Sequence, residues 1–130
     1  MKLLLDTHVF LWAINADANL PGAFRKAISD PTNTVFLSVA SLWEADIKFN
    51  LGKLSLPLPP VEYIPPRRAA HGIASLTIDE ETLIALAELP DLHRDPFDRI
   101  ILAQAIQHGM TIATVDKAML AYSTVHFLSK

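Results

Sequence analysis

Apolar residues fall in short blocks separated by polar punctuation. Leu3-Leu4-Leu5 is a continuous apolar run that ends abruptly at Asp6, the pattern of a strand covered on both faces in a parallel sheet. From His8 to Asn15 the apolar positions recur at helical spacing, and Pro21 opens a second helical segment to about Ser29. Asp30-Pro31-Thr32-Asn33 is turn chemistry, after which Thr34 to Val39 supplies β-branched and aromatic residues for a second strand. Ser41 is placed to cap the next helix, which runs to about Leu51 and stops at Gly52. The proline-rich stretch from Leu56 to Pro66 predicts an extended crossing loop, and Ile73 to Ile78 a third strand. Asp79-Glu80-Glu81 then begins a helix with its acids where the dipole favours them.

The best-marked helix is Asp95 to His108, with Pro96 at a favoured first-turn position and Gly109 just past the end. Thr111 to Thr114 follows as a strand, Asp116 to Tyr122 as a short helix, and Val125 to Leu128 as a last strand. Strands alternating with helices predict an α/β fold, a parallel sheet covered on both sides with its strand ends on one common edge. At 130 residues and 51% hydrophobic content the chain suits a single domain over residues 1–130 with one continuous core.

Charge removes one easy route to function. Eleven Lys and Arg against fourteen Asp and Glu leave a formal charge of −3, so a polyanion must be met locally. The absence of cysteine excludes disulfides, thiolate zinc sites and cysteine nucleophiles, and it suits a reducing cytoplasm. Lys2 and the apolar run after it fit a signal peptide poorly, because Asp6 and His8 interrupt the run. No stretch reaches the ~18 apolar residues of a membrane span, so no membrane partner is expected. The slightly high apolar fraction suggests surface reserved for a partner chain or a second protomer.

In open α/β sheets ligands bind outside the carboxyl ends of the strands. Asp6 follows the first strand, Asp116 follows the strand ending near Thr114, Glu44 lies in the helix after the second strand, and Asp98 occupies the first turn of the Asp95 helix. Asp98 shares a face with Ile101, Leu102 and Ala105 and so points inward, and Glu44 lies beside the stripe of Trp43, Ile47 and Leu51. A carboxylate aimed at a core must be neutralised, hydrogen-bonded or bound to a cation. Four gathered at one edge would repel one another until a cation arrived, and hard oxygen ligands without Cys or a His pair suit Mg²⁺ or Mn²⁺. Such an ion lowers the pKa of an attacking water and offsets phosphoryl charge, which leads to phosphodiester hydrolysis. Each acid also has a local explanation: Asp95 and Asp116 as helix caps, Asp98 as a capping-box partner, Glu44 as an i+4 partner of Lys48. Four at one sheet edge are much less easily explained that way.

At these residues the sequence resembles the PIN-domain family, and within it the VapC toxins of prokaryotic toxin–antitoxin pairs. The resemblance runs through Leu-Leu-Leu-Asp6-Thr7-His8, Ser41-Leu42-Trp43-Glu44 with Ile47-Lys48 and Gly52-Lys53-Leu54, His93-Arg94-Asp95-Pro96-Phe97-Asp98-Arg99 with Ala103-Gln104-Ala105, and Thr114-Val115-Asp116. It implies a three-layer α/β/α sandwich with a central parallel sheet and an acidic cluster that binds magnesium or manganese for RNA cleavage. It also implies a cognate antitoxin and a homodimer. By resemblance Asp6, Glu44, Asp98 and Asp116 match the family's acidic positions, and Asp95 is either a cap or an outer metal contact, the cap being the better fit to an Asp-Pro pair. Thr7 and Thr114 are placed to orient the carboxylates or simply to end strands. His8 and His93 are candidates for RNA contact or proton carriage, although a single histidine more often has an ordinary role. The basic rim for RNA is drawn from Lys48, Arg94 and Arg99, with Arg25, Lys26, Lys53 and Lys117 as further candidates. Trp12, Trp43 and Phe97 are expected in the core rather than as base-stacking platforms. A haloacid-dehalogenase-type phosphoryl transferase would also place an Asp after the first strand, but it needs a second Asp two positions later, where His8 stands.

Overall fold

β1 (Lys2–Leu5) is central because it is apolar on both faces: Leu3 and Leu5 enter one hydrophobic cluster and Leu4 the other, all fully buried. The computed structural model describes residues 1–130. β2 (Thr34–Ser38), β3 (Ala74–Leu76), β4 (Thr111–Ala113) and β5 (His126–Phe127) join β1 in one sheet of order β3-β2-β1-β4-β5, with every pairing parallel. Helices α1 (Thr7–Ile14), α2 (Gly22–Ser29), α3 (Val39–Asn50) and α4 (Pro60–Ala70) supply one cluster, through Val9, Phe10, Phe24, Ala45 and Ile64 among others. Helices α5 (Glu80–Glu88), α6 (Pro96–His108) and α7 (Lys117–Leu120) supply the second, through Leu86, Ile101, Leu102 and Met119. This is the expected three-layer α/β/α arrangement.

Register decides what lies at the sheet edge. Leu5 pairs with Leu37 on one side and Ala113 on the other, so the next residues, Asp6, Ser38 and Thr114, stand side by side past the carboxyl ends. The Asp6 amide extends the ladder by one rung, donating to the Ala113 carbonyl at 3.0 Å. The chain leaves β1 for β2 on one side and returns to β4 on the other, so β1 and β4 flank the point where strand order reverses and a crevice opens.

Most expected elements are present within a few residues of their boundaries, and Gly109 ends α6 in the left-handed conformation (φ 63) that favours glycine. Three expectations are corrected. Ser38, not Ser41, caps α3 by accepting from the Ala40 amide, which leaves Ser41 buried inside the helix. The proline-rich stretch is helical from Pro60, with Pro65 and Pro66 inside α4. An interior proline costs about 3 kcal/mol, but the carbonyls these two release belong to Val61 and Glu62, which are exposed to water. Tyr63 and Ile64 are buried from the opposite face, and an aliphatic side chain of that size contributes about 1.5–3 kcal/mol. Trp43 is not core: with Val39, Ile47 and Leu51 it forms an exposed i, i+4 row on α3, while Ala40, Ser41, Glu44 and Ala45 face inward.

Phe24 is the one buried residue of α2, so it holds that helix against the sheet. Phe24→Ala is expected to cost about 3–5 kcal/mol, the usual range for emptying a core aromatic position. Urea unfolding measures it, and a loss below about 1 kcal/mol would mean that α2 is anchored by something else.

Candidate metal centre and active site

Each acid is positioned by a local device that the sequence explains. Asp6 caps α1, its Oδ1 accepting from the Thr7 amide at 2.7 Å, and its Oδ2 accepts from the Thr114 hydroxyl at 2.7 Å. Asp95 caps α6, Oδ1 accepting from the amides of Phe97 (2.9 Å) and Asp98 (3.0 Å). Asp116 caps α7 through the Ala118 amide at 2.9 Å, while the Thr114 hydroxyl accepts from the Asp116 amide at 3.1 Å. Glu44 takes the Thr7 hydroxyl on Oε1 at 2.8 Å and the Lys48 ammonium on Oε2 at 2.7 Å.

These local roles do not compete with convergence, because the caps themselves lie on the common edge. Carboxylate oxygens of Glu44, Asp95 and Asp98 come within 4.8 Å of one another, and a second group of that spacing comprises His93, Asp98 and Asp116. Asp6, Glu44 and Asp98 are buried, whereas His93, Asp95 and Asp116 are half-buried at the rim. Burial, followed by the neighbouring charges of Asp6, Asp95 and Glu44, pushes the Asp98 carboxyl up to about 6, although the His93 hydrogen bond pulls the other way. Burial likewise raises Asp6, against the lowering effect of Thr114, Thr7 and His8. Lys48 is held above its ordinary value even though burial lowers it, because of Glu44 first and then Asp95 and Asp98. One ammonium faces Glu44, Asp95 and Asp98.

Two residues carry more here than their sequence context suggested. His93 places Nε2 at 2.8 Å from Asp98 Oδ2, five residues away across the entrance to α6. The Ser41 hydroxyl lies 2.8 Å from the Thr7 hydroxyl; since Thr7 spends its one proton on Glu44, Ser41 donates, extending the chain to Ser41-Thr7-Glu44. The Ser41 contact is tertiary, and that of His93 is local, set by the turn that enters α6. The basic candidates divide. Lys48 sits on the acids, Arg94 and Lys117 are exposed beside them in sequence, and Arg25 donates away to the Asp17 carbonyl. Arg99 commits Nη1 to the carbonyls of Pro90 and His93 and to the Tyr122 hydroxyl, tying down the loop before α6. His8 is exposed and tilts against Trp12 with ring centres 6.4 Å apart.

The donors fit a hard divalent cation: several carboxylate oxygens with oxygens to spare, and too few local cations to neutralise them. The four cavities of the molecule are lined by other residues, and the members of the acidic group that reach the surface are the half-buried His93, Asp95 and Asp116.

The family model described as PIN domain matches residues 3–124. The chain belongs to the PIN-domain family. A segment of this PIN domain is 40% identical over 55 residues to Ribonuclease VapC16 of Mycobacterium tuberculosis (strain ATCC 25618 / H37Rv), a match that takes in 42% of this chain and 39% of that relative. Among solved structures it is similar to a chain of VapBC2 from Rickettsia felis, bound to a DNA fragment from its promoter (16% identity, TM-score 0.72, 98% and 97% of the two chains). It is also similar to chains of DNA-bound VapBC from Salmonella typhimurium (18%, TM-score 0.67, 98% and 96%) and of FitAcB from Neisseria gonorrhoeae (20%, TM-score 0.63, 98% and 96%). At these identities the likeness speaks for the fold.

The raised Asp98 carboxyl has a measurable consequence. The folded, metal-free PIN domain holds a proton there with a pKa of about 6, where the ordinary value is 3.8. Ionising Asp98 therefore costs stability above about pH 6, and that cost disappears as pH falls through about 6 towards the unfolded value. In EDTA, Asp98→Asn is expected to melt higher than the wild type at about pH 7.5, with the gap roughly halved by about pH 5 and closed only by about pH 4. Thermal unfolding across that range checks it, and a variant no more stable than wild type at the higher pH would contradict it.

Proposed function

We propose that this protein is a metal-dependent endoribonuclease of the VapC toxin type, hydrolysing RNA phosphodiester bonds and restrained by a cognate antitoxin protein. The observation that carries the reading is the meeting of acids around Asp98: its ligand atoms lie within 4.8 Å of those of Glu44 and Asp95 in one group and of His93 and Asp116 in another, and it feels the charge of Asp6 at the end of β1. The naming of a relative as a ribonuclease supports the reaction, and the VapBC complexes among the similar structures support the antitoxin.

Asp6, Glu44, Asp98 and Asp116 would hold Mg²⁺ or Mn²⁺, with the Asp95 oxygen not used in capping available as an outer contact. When bound, such an ion lowers the pKa of water and offsets charge on phosphoryl oxygens. Thr114 and Thr7 fix the carboxylates of Asp6 and Glu44, so neither needs to reorganise when a cation enters. His93 steadies Oδ2 of Asp98 and leaves Oδ1 free. Lys48 and the exposed Arg94 meet the RNA backbone beside the acids, and Arg99 could add only its remaining nitrogens. No helix is long and apolar enough to cross a membrane. A cytoplasmic site of action follows from the proposed substrate, and the exposed apolar side chains leave surface for the antitoxin and for a second protomer.

Purified protein is expected to nick single-stranded RNA in Mg²⁺ or Mn²⁺ and to stop in EDTA. Asp6→Asn and Asp98→Asn should each lower the rate by about 100-fold or more, since even outer partners of a metal site are worth 10- to 100-fold. Undiminished cleavage in EDTA would overturn the metal mechanism. Expression of the protein alone should arrest growth, with rescue by a small protein encoded beside it and no arrest from the Asp98→Asn variant. Normal growth with soluble, active enzyme would instead favour an RNA-processing role outside toxin–antitoxin pairs.

A further inference from the structure

We infer that Trp43 is a stacking platform for an unpaired base of the RNA substrate, next to the phosphate being cut. The inference rests on the nuclease reading and assigns a substrate contact within it. Two consecutive residue pairs bridge α3 and α6. Glu44 and Asp98 bring their carboxylates within 4.8 Å, and the residues just before them, Trp43 and Phe97, meet edge to face with ring centres 4.9 Å apart at 89°. The aromatic pair therefore stands one residue away from the acid cluster along both helices. Phe97 packs against the indole, yet Trp43 remains 54% exposed, next in sequence to Glu44, which carries the Lys48 ammonium at 2.7 Å.

A large aromatic ring left in water needs a reason, because its burial would otherwise stabilise the fold. Every base has a π-face, so stacking on such a ring holds single-stranded RNA without reading its sequence, while a neighbouring cation meets the backbone. The rest of the exposed row, Val39, Ile47 and Leu51, is aliphatic. Those residues offer apolar area but no ring, and Trp43 is the member that borders the acids. A protein partner would use the row as a whole, whereas a base would need Trp43 alone.

The test uses a fluorescein-labelled single-stranded RNA 12-mer of mixed sequence whose cut position is first mapped with the wild type. Trp43→Ala and Trp43→Leu should both raise KM about 10-fold, as expected for one lost stacking interaction, with kcat changed less than about twofold. Trp43→Phe should recover most of the loss, since it restores a ring. Replacing the base on one side of the cut by an abasic site should weaken wild-type binding similarly and add nothing in Trp43→Ala. In an Asp98→Asn Trp12→Phe protein, where Trp43 is the sole indole, the intact RNA should quench fluorescence and the abasic RNA should not. Cleavage by Trp43→Leu with wild-type KM, or quenching indifferent to the abasic site, would overturn the inference. Wild-type KM combined with lost binding of the neighbour-encoded protein would assign Trp43 to the antitoxin instead. A wild type that neither binds nor cuts RNA would overturn the nuclease reading itself.

Discussion

Burial of β1 on both faces is the constraint from which the site follows. With Leu3, Leu4 and Leu5 fully enclosed, the strand cannot slip by one residue without exchanging the two clusters its side chains enter. The residue at its carboxyl end is therefore locked in place, and that residue is Asp6. Parallel pairing with β2 and β4 then sets Ser38 and Thr114 on either side. An apolar packing requirement thus places a carboxylate where water is scarce, and desolvation raises its pKa.

Helix capping and site building are one act in this protein. Asp6, Asp95 and Asp116 each satisfy backbone amides at a helix start, groups that would otherwise lack partners. Because these helices begin where strands end, or at the same edge, the caps also assemble the acidic group. The local interactions are worth about 1 kcal/mol apiece and do not neutralise the cluster. Lys48 is the one ammonium bonded to it, and Asp98 remains raised to about 6. Stability and the affinity for a cation are in tension there, a common feature of functional sites.

The aromatic pair extends the same logic outward. Trp43 and Phe97 meet edge to face where α3 and α6 approach, immediately beside the carboxylates those helices carry. Arg99 pins the loop that presents His93 to Asp98.

Short-range physics made the strands, the caps and the acids readable from sequence. Leu3-Leu4-Leu5 could be little else than a doubly covered strand, and Asp95-Pro96 with Gly109 marks both ends of α6 by backbone chemistry alone. The proline-rich stretch misled, because Pro65 and Pro66 oppose a helix locally while Tyr63 and Ile64 enforce one by packing against residues distant in sequence. Trp43 was assigned inward for a related reason: helical periodicity defines faces but not which of two apolar faces meets the sheet. Ser41 acquired its role only when α1 and α3 met, whereas His93 reaches Asp98 across the local turn that leads into α6. The sequence by itself determined which residues end the strands and start the helices; the tertiary structure alone decided which side chains share the crevice, since that depends on contacts between segments up to 108 residues apart.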